Sequence, residues 1–138
     1  MIISGSPLKC KAVCDRDAEG QILYSEKAIN FYLVDPSSSE VIEDDHPLKG
    51  KKIRGKAIVI PSGKGSSVVQ LDGLYQLLSN GNQPSLIVVK DPDPVLVSAA
   101  FICSVPIISG LPENFFNLAK NGGVIKLNCS NKEVAIIH

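Results

Sequence analysis

Tryptophan is absent from this chain, aromatic residues make up only 5% of it, and histidine occurs twice. A surface that stacks nucleic-acid bases needs aromatic platforms, so that class of binder is disfavoured. No charge of either sign predominates: Lys+Arg and Asp+Glu both number 14, which gives no basic footprint for a nucleic-acid partner. No run approaches the roughly 20 apolar residues of a membrane span. The N-terminal stretch "MIISGSPLKCKAVC" lacks the apolar core of a signal peptide, so a cytoplasmic chain with no membrane partner is expected.

Metal-ligand spacing is missing too. Cys10 and Cys14 form a C-x3-C pair, but Cys103 and Cys129 lie far apart and no histidine stands close enough to complete a site. In a cytoplasmic chain the four cysteines are expected to be free, partly buried thiols, with no metal bound. His46 sits in the polar loop "DDHPLKG" and His138 is the last residue, so neither has a partner for histidine-centred chemistry. His46 reads as a solvated or turn-stabilising residue. The neighbouring Glu43, Asp44 and Asp45 read as a solvated acidic face.

What is present is an ordinary globular composition: 138 residues, 44% hydrophobic, the size of one domain spanning 1–138. The first half reads as short strands and turns: "LKCKAVC", "GQILYS", the β-prone "AINFYLV", the turn "DPSSSE", then the buried-looking strand "KAIVIP". The second half changes character. Leu71, Leu74, Tyr75 and Leu78 recur at helical spacing between Ser67 and Asn80, and Gly81 stands where a helix would end. "SLIVVK" is a strand. "PVLVSAAFIC" is a helix with Pro94 in its first turn and Asp93 placed to cap it. "VPIISG" is a strand, "PENFFNLAKNG" a short helix, and "GVIKLNC" with "KEVAII" a closing β pair. The order predicts a sheet with a helical layer over its later half.

Two glycine-rich stretches invite a phosphate-binding reading. "GKKIRGKA", Gly50 to Ala57, matches the spacing of a P-loop but ends in alanine where magnesium needs Ser or Thr. It also precedes a strand instead of following one, so it reads as a basic surface turn. "PSGKGSS", Pro61 to Ser67, follows a strand and leads into a helix. Free N–H groups at a helix start favour an anion, glycines allow close approach to the backbone, and Lys64 adds a positive charge. Ser66 is equally suited to be a helix cap. A cap accounts for one serine, whereas this loop has three serines, two glycines and a lysine. With no obvious histidine to take the serine's proton, a hydrolase triad is not supported. A serine held by convergent N–H donors can still accept a proton inside a closed site, so the loop looks like half of an active site.

The blocks "DPSSSEVIEDDHPLKG" and "VIPSGKGSS", with "AEGQIL" before them and "PSLIVVKDPDPVLVSAAFICSVPII" after, resemble the small-subunit swivel-domain family of aconitase X, over roughly residues 5 to 110. The resemblance implies an α/β fold, a swivelling β/β/α domain with a β-rich sheet or barrel-like layers and helices on one side. It implies docking on a large subunit that holds a 4Fe–4S cluster, whose iron acts as Lewis acid on a leaving hydroxyl. By the family's pattern Ser62 is the proton acceptor and Ser66 the reserve, with Gly63, Lys64, Gly65, Ser66 and Ser67 binding a phosphorylated hydroxy acid. The implied reaction dehydrates (R)-5-phosphomevalonate to trans-anhydromevalonate 5-phosphate in an archaeal mevalonate route to isoprenoids. The alternatives are a related dehydratase acting on a hydroxy acid such as cis-3-hydroxy-L-proline, or a non-catalytic swivelling domain like a phosphocarrier. A phosphocarrier needs a histidine before its helix; this chain has Ser98 in that region and no histidine there.

Overall fold

"AIVI" and "LIVV" are unbroken apolar tetrapeptides, and such runs suit parallel strands covered on both faces. In the computed structural model, which describes residues 7–138, they are the two middle strands of the parallel part of a mixed sheet. In chain order the strands are β1 (Leu8–Lys9), β2 (Lys11–Val13), β3 (Ala18–Tyr24), β4 (Ala57–Ile60), β5 (Leu86–Val89), β6 (Ile107–Ser109), β7 (Val124–Asn128) and β8 (Glu133–Ile137). The helices are α1 (Ser67–Ser79), α2 (Pro94–Ile102) and α3 (Glu113–Ala119). Residues 1–6, which open the stretch read above for a signal peptide, lie outside the described residues. No helix among the described residues is long and apolar enough to cross a membrane.

The sheet runs β1-β8-β7-β3-β4-β5-β6-β2. β3, β4, β5 and β6 are parallel, while β7, β8, β1 and β2 pair antiparallel with their neighbours. The two edge strands, β1 and β2, are consecutive in sequence with only Cys10 between them. One short segment therefore passes from one edge of the sheet to the other and nearly closes it into a barrel, leaving little free edge. The Cys10 N–H donates to Lys132 O at 3.0 Å across that seam.

Side-chain alternation along the inner strands divides the interior. Ile58, Ile60, Ile87, Val89 and Ile107 pack with Leu74, Leu77, Leu96 and Ala99 of α1 and α2. Val59, Leu86, Val88 and Ile108 point the other way, to Phe115 and Phe116 of α3 and to Ile125, Leu127, Val134 and Ile136. β7 alternates buried and exposed residues, as an antiparallel strand with one solvated face does. The helical layer expected on one side is thus α1 and α2, while α3 belongs to the barrel's own core.

Three sequence expectations change here. "AINFYLV" is no strand: Phe31–Leu33 form a single 3₁₀ turn, and only Ile29 and Val34 make isolated bridges. The cause is local, because Asn30 Oδ1 accepts the Tyr32 N–H at 3.0 Å and so competes with a ladder. The apolar stripe of α1 is also rotated. Its buried face is Gln70, Gly73, Leu74 and Leu77, whereas Tyr75 is 58% exposed. Gly73 lets the 3₁₀ turn press against the helix, since a Cβ there would lie 2.5 Å from Tyr32 N.

The third change concerns the cysteines. Cys14 and Cys129 form a disulfide with Cα atoms 6.2 Å apart, while Cys10 and Cys103 are free. Near-closure of the sheet causes this, by carrying the end of β2 to the β7–β8 turn across a sequence separation of 115. A cross-link of such long span restricts the unfolded chain strongly. Cys14→Ser is expected to lower stability by about 2–5 kcal/mol, measured by urea denaturation. The oxidised chain should release only the Cys10 and Cys103 thiols on denaturation without reductant.

Candidate functional site

β4 ends at Ile60, and the chain must then leave the sheet. Its exit stays tied to β5: Lys90 N–H donates to Ile60 O at 3.2 Å and Asp91 N–H to Pro61 O at 2.8 Å. The loop Pro61–Ser66 is thereby held at the ends of the parallel strands, where α1 and α2 begin. Ser62 is half-buried, and its Oγ donates to Gly63 O at 3.2 Å. Gly65 adopts φ +105°, a conformation that favours glycine. Ser66 is exposed and caps α1, its Oγ accepting the Val69 N–H at 3.3 Å. Ser67 opens the helix, so its N–H and that of Val68 have no acceptor within the helix. α2 starts beside it, with Asp93 Oδ1 accepting the Val95 N–H at 3.0 Å as anticipated. A shallow groove of about 300 Å³ runs between the helices from Ser67 past Leu71, Pro94 and Ser98 to Ile102.

The polar partners of this loop come from elsewhere in the chain. The Lys64 ammonium, expected to face an anion, instead pairs with Glu43. Glu43 corrects the expectation of a solvated acidic face, because its residue exposure is only 7%. Its other oxygen accepts the Asn30 N–H at 3.0 Å, so the carboxylate ties three segments together. Asp44 and Asp45 do remain exposed, Asp44 paired with Lys49. Gln70, 1% exposed, donates its side-chain amide to Gly65 O at 2.9 Å and to Asp93 Oδ2 at 3.2 Å. Neither Glu43 nor Gln70 was marked by the sequence, since an acid within an acidic run and a glutamine on a helix look like surface residues.

His46 is buried rather than solvated, although it does stabilise a turn. Leu48 N–H donates to Nδ1 at 3.0 Å, so Nε2 carries the proton and donates to Ala28 O at 3.1 Å. Both ring nitrogens are occupied, and His46 offers no base to a serine. The false P-loop, Gly50 to Ala57, leads into β4 from the opposite end to the site. A depression of about 560 Å³ is also remote from the loop, around Ala18, Glu19 and Leu127 at the starting end of β3.

The residues present do not fit an iron–sulfur cluster. Such a cluster calls for several thiolates; two of the four cysteines are spent in the disulfide, and burial pushes the Cys10 and Cys103 thiols up. Among the described residues no three His, Cys, Asp or Glu side chains converge as a metal site requires.

The family model of the aconitase X swivel domain matches residues 7–136. This chain belongs to the aconitase X swivel-domain family. The match extends well past residue 110, the end of the stretch whose motifs carry the resemblance. The chain is 36% identical over 131 residues to the phosphomevalonate dehydratase small subunit of Methanosarcina acetivorans, covering 94% of this chain and 90% of that one. It is 34% identical to the protein of the same name from Pyrococcus abyssi, covering 94% and 98%. In three dimensions it resembles the holo-form of Thermococcus kodakaraensis aconitase X, with TM-score 0.80, 28% identity, and coverage of 97% and 100%.

Glu43 yields a pH signature. Burial pushes its carboxyl up, but the Lys64 ammonium and the Asn30 N–H outweigh that and hold it below the ordinary carboxylate value of 4.5. A folded value below the unfolded one gives stability that is fully present above pH 4.5 and is lost as pH falls through the folded value. Glu43→Gln is therefore expected to flatten the stability profile below about pH 4.5. It should cost about 1–3 kcal/mol near neutrality, read from urea midpoints across the pH range.

Proposed function

We propose that this chain is the small subunit of a phosphomevalonate dehydratase, a single swivel domain that completes the active site of a large subunit. The observation that carries the reading is the agreement of relatives bearing that name over nearly the whole chain with an exposed serine at the mouth of α1. The overall change converts (R)-5-phosphomevalonate to trans-anhydromevalonate 5-phosphate. A proton leaves C2, its electron pair forms the C2–C3 double bond, and the C3 hydroxyl departs as water. The iron–sulfur cluster that the family suggests is assigned to the large subunit, because this chain's donors do not fit one. A cytoplasmic location suits such an enzyme, and the Cys14–Cys129 bond would then be one of the uncommon cytosolic disulfides.

Two serines compete for the proton-accepting role, and their surroundings differ. Ser62 Oγ lies against a carbonyl oxygen, whose lone pairs would repel an alkoxide. Ser66 Oγ already accepts an N–H and stands at the positive end of a thirteen-residue helix. Convergent N–H donors and that dipole lower the cost of an alkoxide there. We therefore assign the proton to Ser66 and keep Ser62 as the alternative. The Ser67 and Val68 N–H groups suit the carboxylate of the substrate, while Gly63 admits the close approach of Gln70 Oε1 behind the loop. Lys64 acts mainly by anchoring the loop to Glu43.

The test is co-expression with a large subunit and an anaerobic assay with phosphomevalonate. Ser66→Ala should assemble and lose about 10²–10⁴ in kcat, while Ser62→Ala should stay within about tenfold of the parent. The reverse pattern would hand the role to Ser62, and absence of both complex and dehydration would end the reading.

A further inference from the structure

Gln70 lies in the second turn of α1, 1% exposed, in a position where an amide is costly to bury. Its Nε2 faces only acceptors, Gly65 O at 2.9 Å and Asp93 Oδ2 at 3.2 Å. That settles which way the amide points, because the reversed amide would set oxygen against both. Its Oε1 is buried and has no hydrogen-bond partner among the described residues. The same oxygen abuts the loop: a Cβ on Gly63 would lie 2.2 Å from it and 3.0 Å from Leu96 Cβ. The amide is therefore wedged between the serine loop and the cap of α2, with its oxygen aimed at the loop and unsatisfied.

The consequence concerns one peptide plane. In a trans peptide the carbonyl oxygen and the following N–H point in opposite directions, and none of the described peptides is cis. With the Gly65 carbonyl drawn inward to Gln70, the Ser66 N–H is turned outward, to the exposed side where Ser66 sits. Gly65, at φ +105°, has the backbone freedom to turn the other way if that hold is removed. Because Nε2 also grips Asp93, which caps α2, the same amide fixes the entrance of α1 relative to that of α2.

We propose that Gln70 is a positioning residue that locks the Gly65–Ser66 peptide with its N–H facing the substrate, so that Ser66, Ser67 and Val68 present their N–H groups together. It acts through that peptide and touches no reacting atom. The activity arm of the test rests on the dehydratase reading above; the spectroscopic arm does not.

The first measurement uses the full-length small subunit alone, labelled with ¹⁵N. In the parent, the Gln70 side-chain amide protons should exchange at least about tenfold more slowly than those of exposed Asn121. This measurement needs no variant to fold. Gln70→Met keeps the side-chain length without the amide, and Gln70→Glu places an acceptor where the donor stands. Either variant, whichever stays folded, should shift the Gly65 and Ser66 backbone resonances while leaving the β7 and β8 resonances in place. In complex with the large subunit, kcat should fall by about ten- to a hundredfold with KM changed by less than about threefold, because positioning acts in the transition state. Fast exchange at Gln70 in the parent, unmoved Gly65 and Ser66 resonances, or kcat within twofold of the parent would overturn the proposal. If the parent complex proves inactive on phosphomevalonate, the dehydratase reading fails while the resonance shifts still decide the role of Gln70.

Discussion

Burial of β4 on both faces is the constraint from which the rest of the molecule follows. All four residues from Ala57 to Ile60 are inaccessible, Ile58 and Ile60 to one core and Ala57 and Val59 to the other. A strand so enclosed must be parallel and central, because crossover helices are what cover the faces of a parallel sheet. Its backbone cannot turn within that interior, so the chain leaves the sheet at Pro61, still bonded to the end of β5. The serine loop therefore stands where parallel strands end and helices start. There the N–H groups of a helix entrance lack partners and are available to an anion.

Placement alone would leave a glycine-rich loop free to sample many shapes. The structure removes that freedom from two sides. Glu43 holds Lys64 and the Asn30 N–H, tying the loop to the 3₁₀ turn region. Gln70 holds Gly65 and Asp93, tying it to both helices. Preorganised donors matter because a developing negative charge is stabilised best by groups that need not reorganise. The two serines of the loop then differ in kind: Ser62 Oγ is turned to a carbonyl, Ser66 Oγ to an N–H. Such a loop has donors but no leaving-group chemistry, which is consistent with a domain that works against a partner.

Much of the fold was legible from the sequence. Continuous apolar runs marked β4, β5 and β6, Asp93-Pro94 marked the start of α2, and Gly81 marked the end of α1. The serine loop was located correctly between strand and helix, since glycine, serine and a following helical period are local signals. Two other features differ from the sequence expectation. Asn30 turned a β-prone segment into a 3₁₀ turn, and the stripe of Leu71, Leu74, Tyr75 and Leu78 proved to lie partly on the outside of α1. The helix is rotated toward Gly73 and Gln70 because a neighbouring turn approaches there, and periodicity within one helix cannot reveal that.

By itself, then, the sequence determined the types and order of most of the elements, the apolar runs of the inner strands, and the loop with its serines and glycines. Each follows from interactions between residues a few positions apart. The tertiary structure decided the near-closure of the sheet through Cys10, the Cys14–Cys129 bond, the burial of Glu43 against Lys64, and the grip of Gln70 on Gly65 and Asp93. The disulfide joins residues 115 positions apart, and Cys10 meets Lys132 across 122. Their energies depend on distance and desolvation in space, which no local pattern encodes.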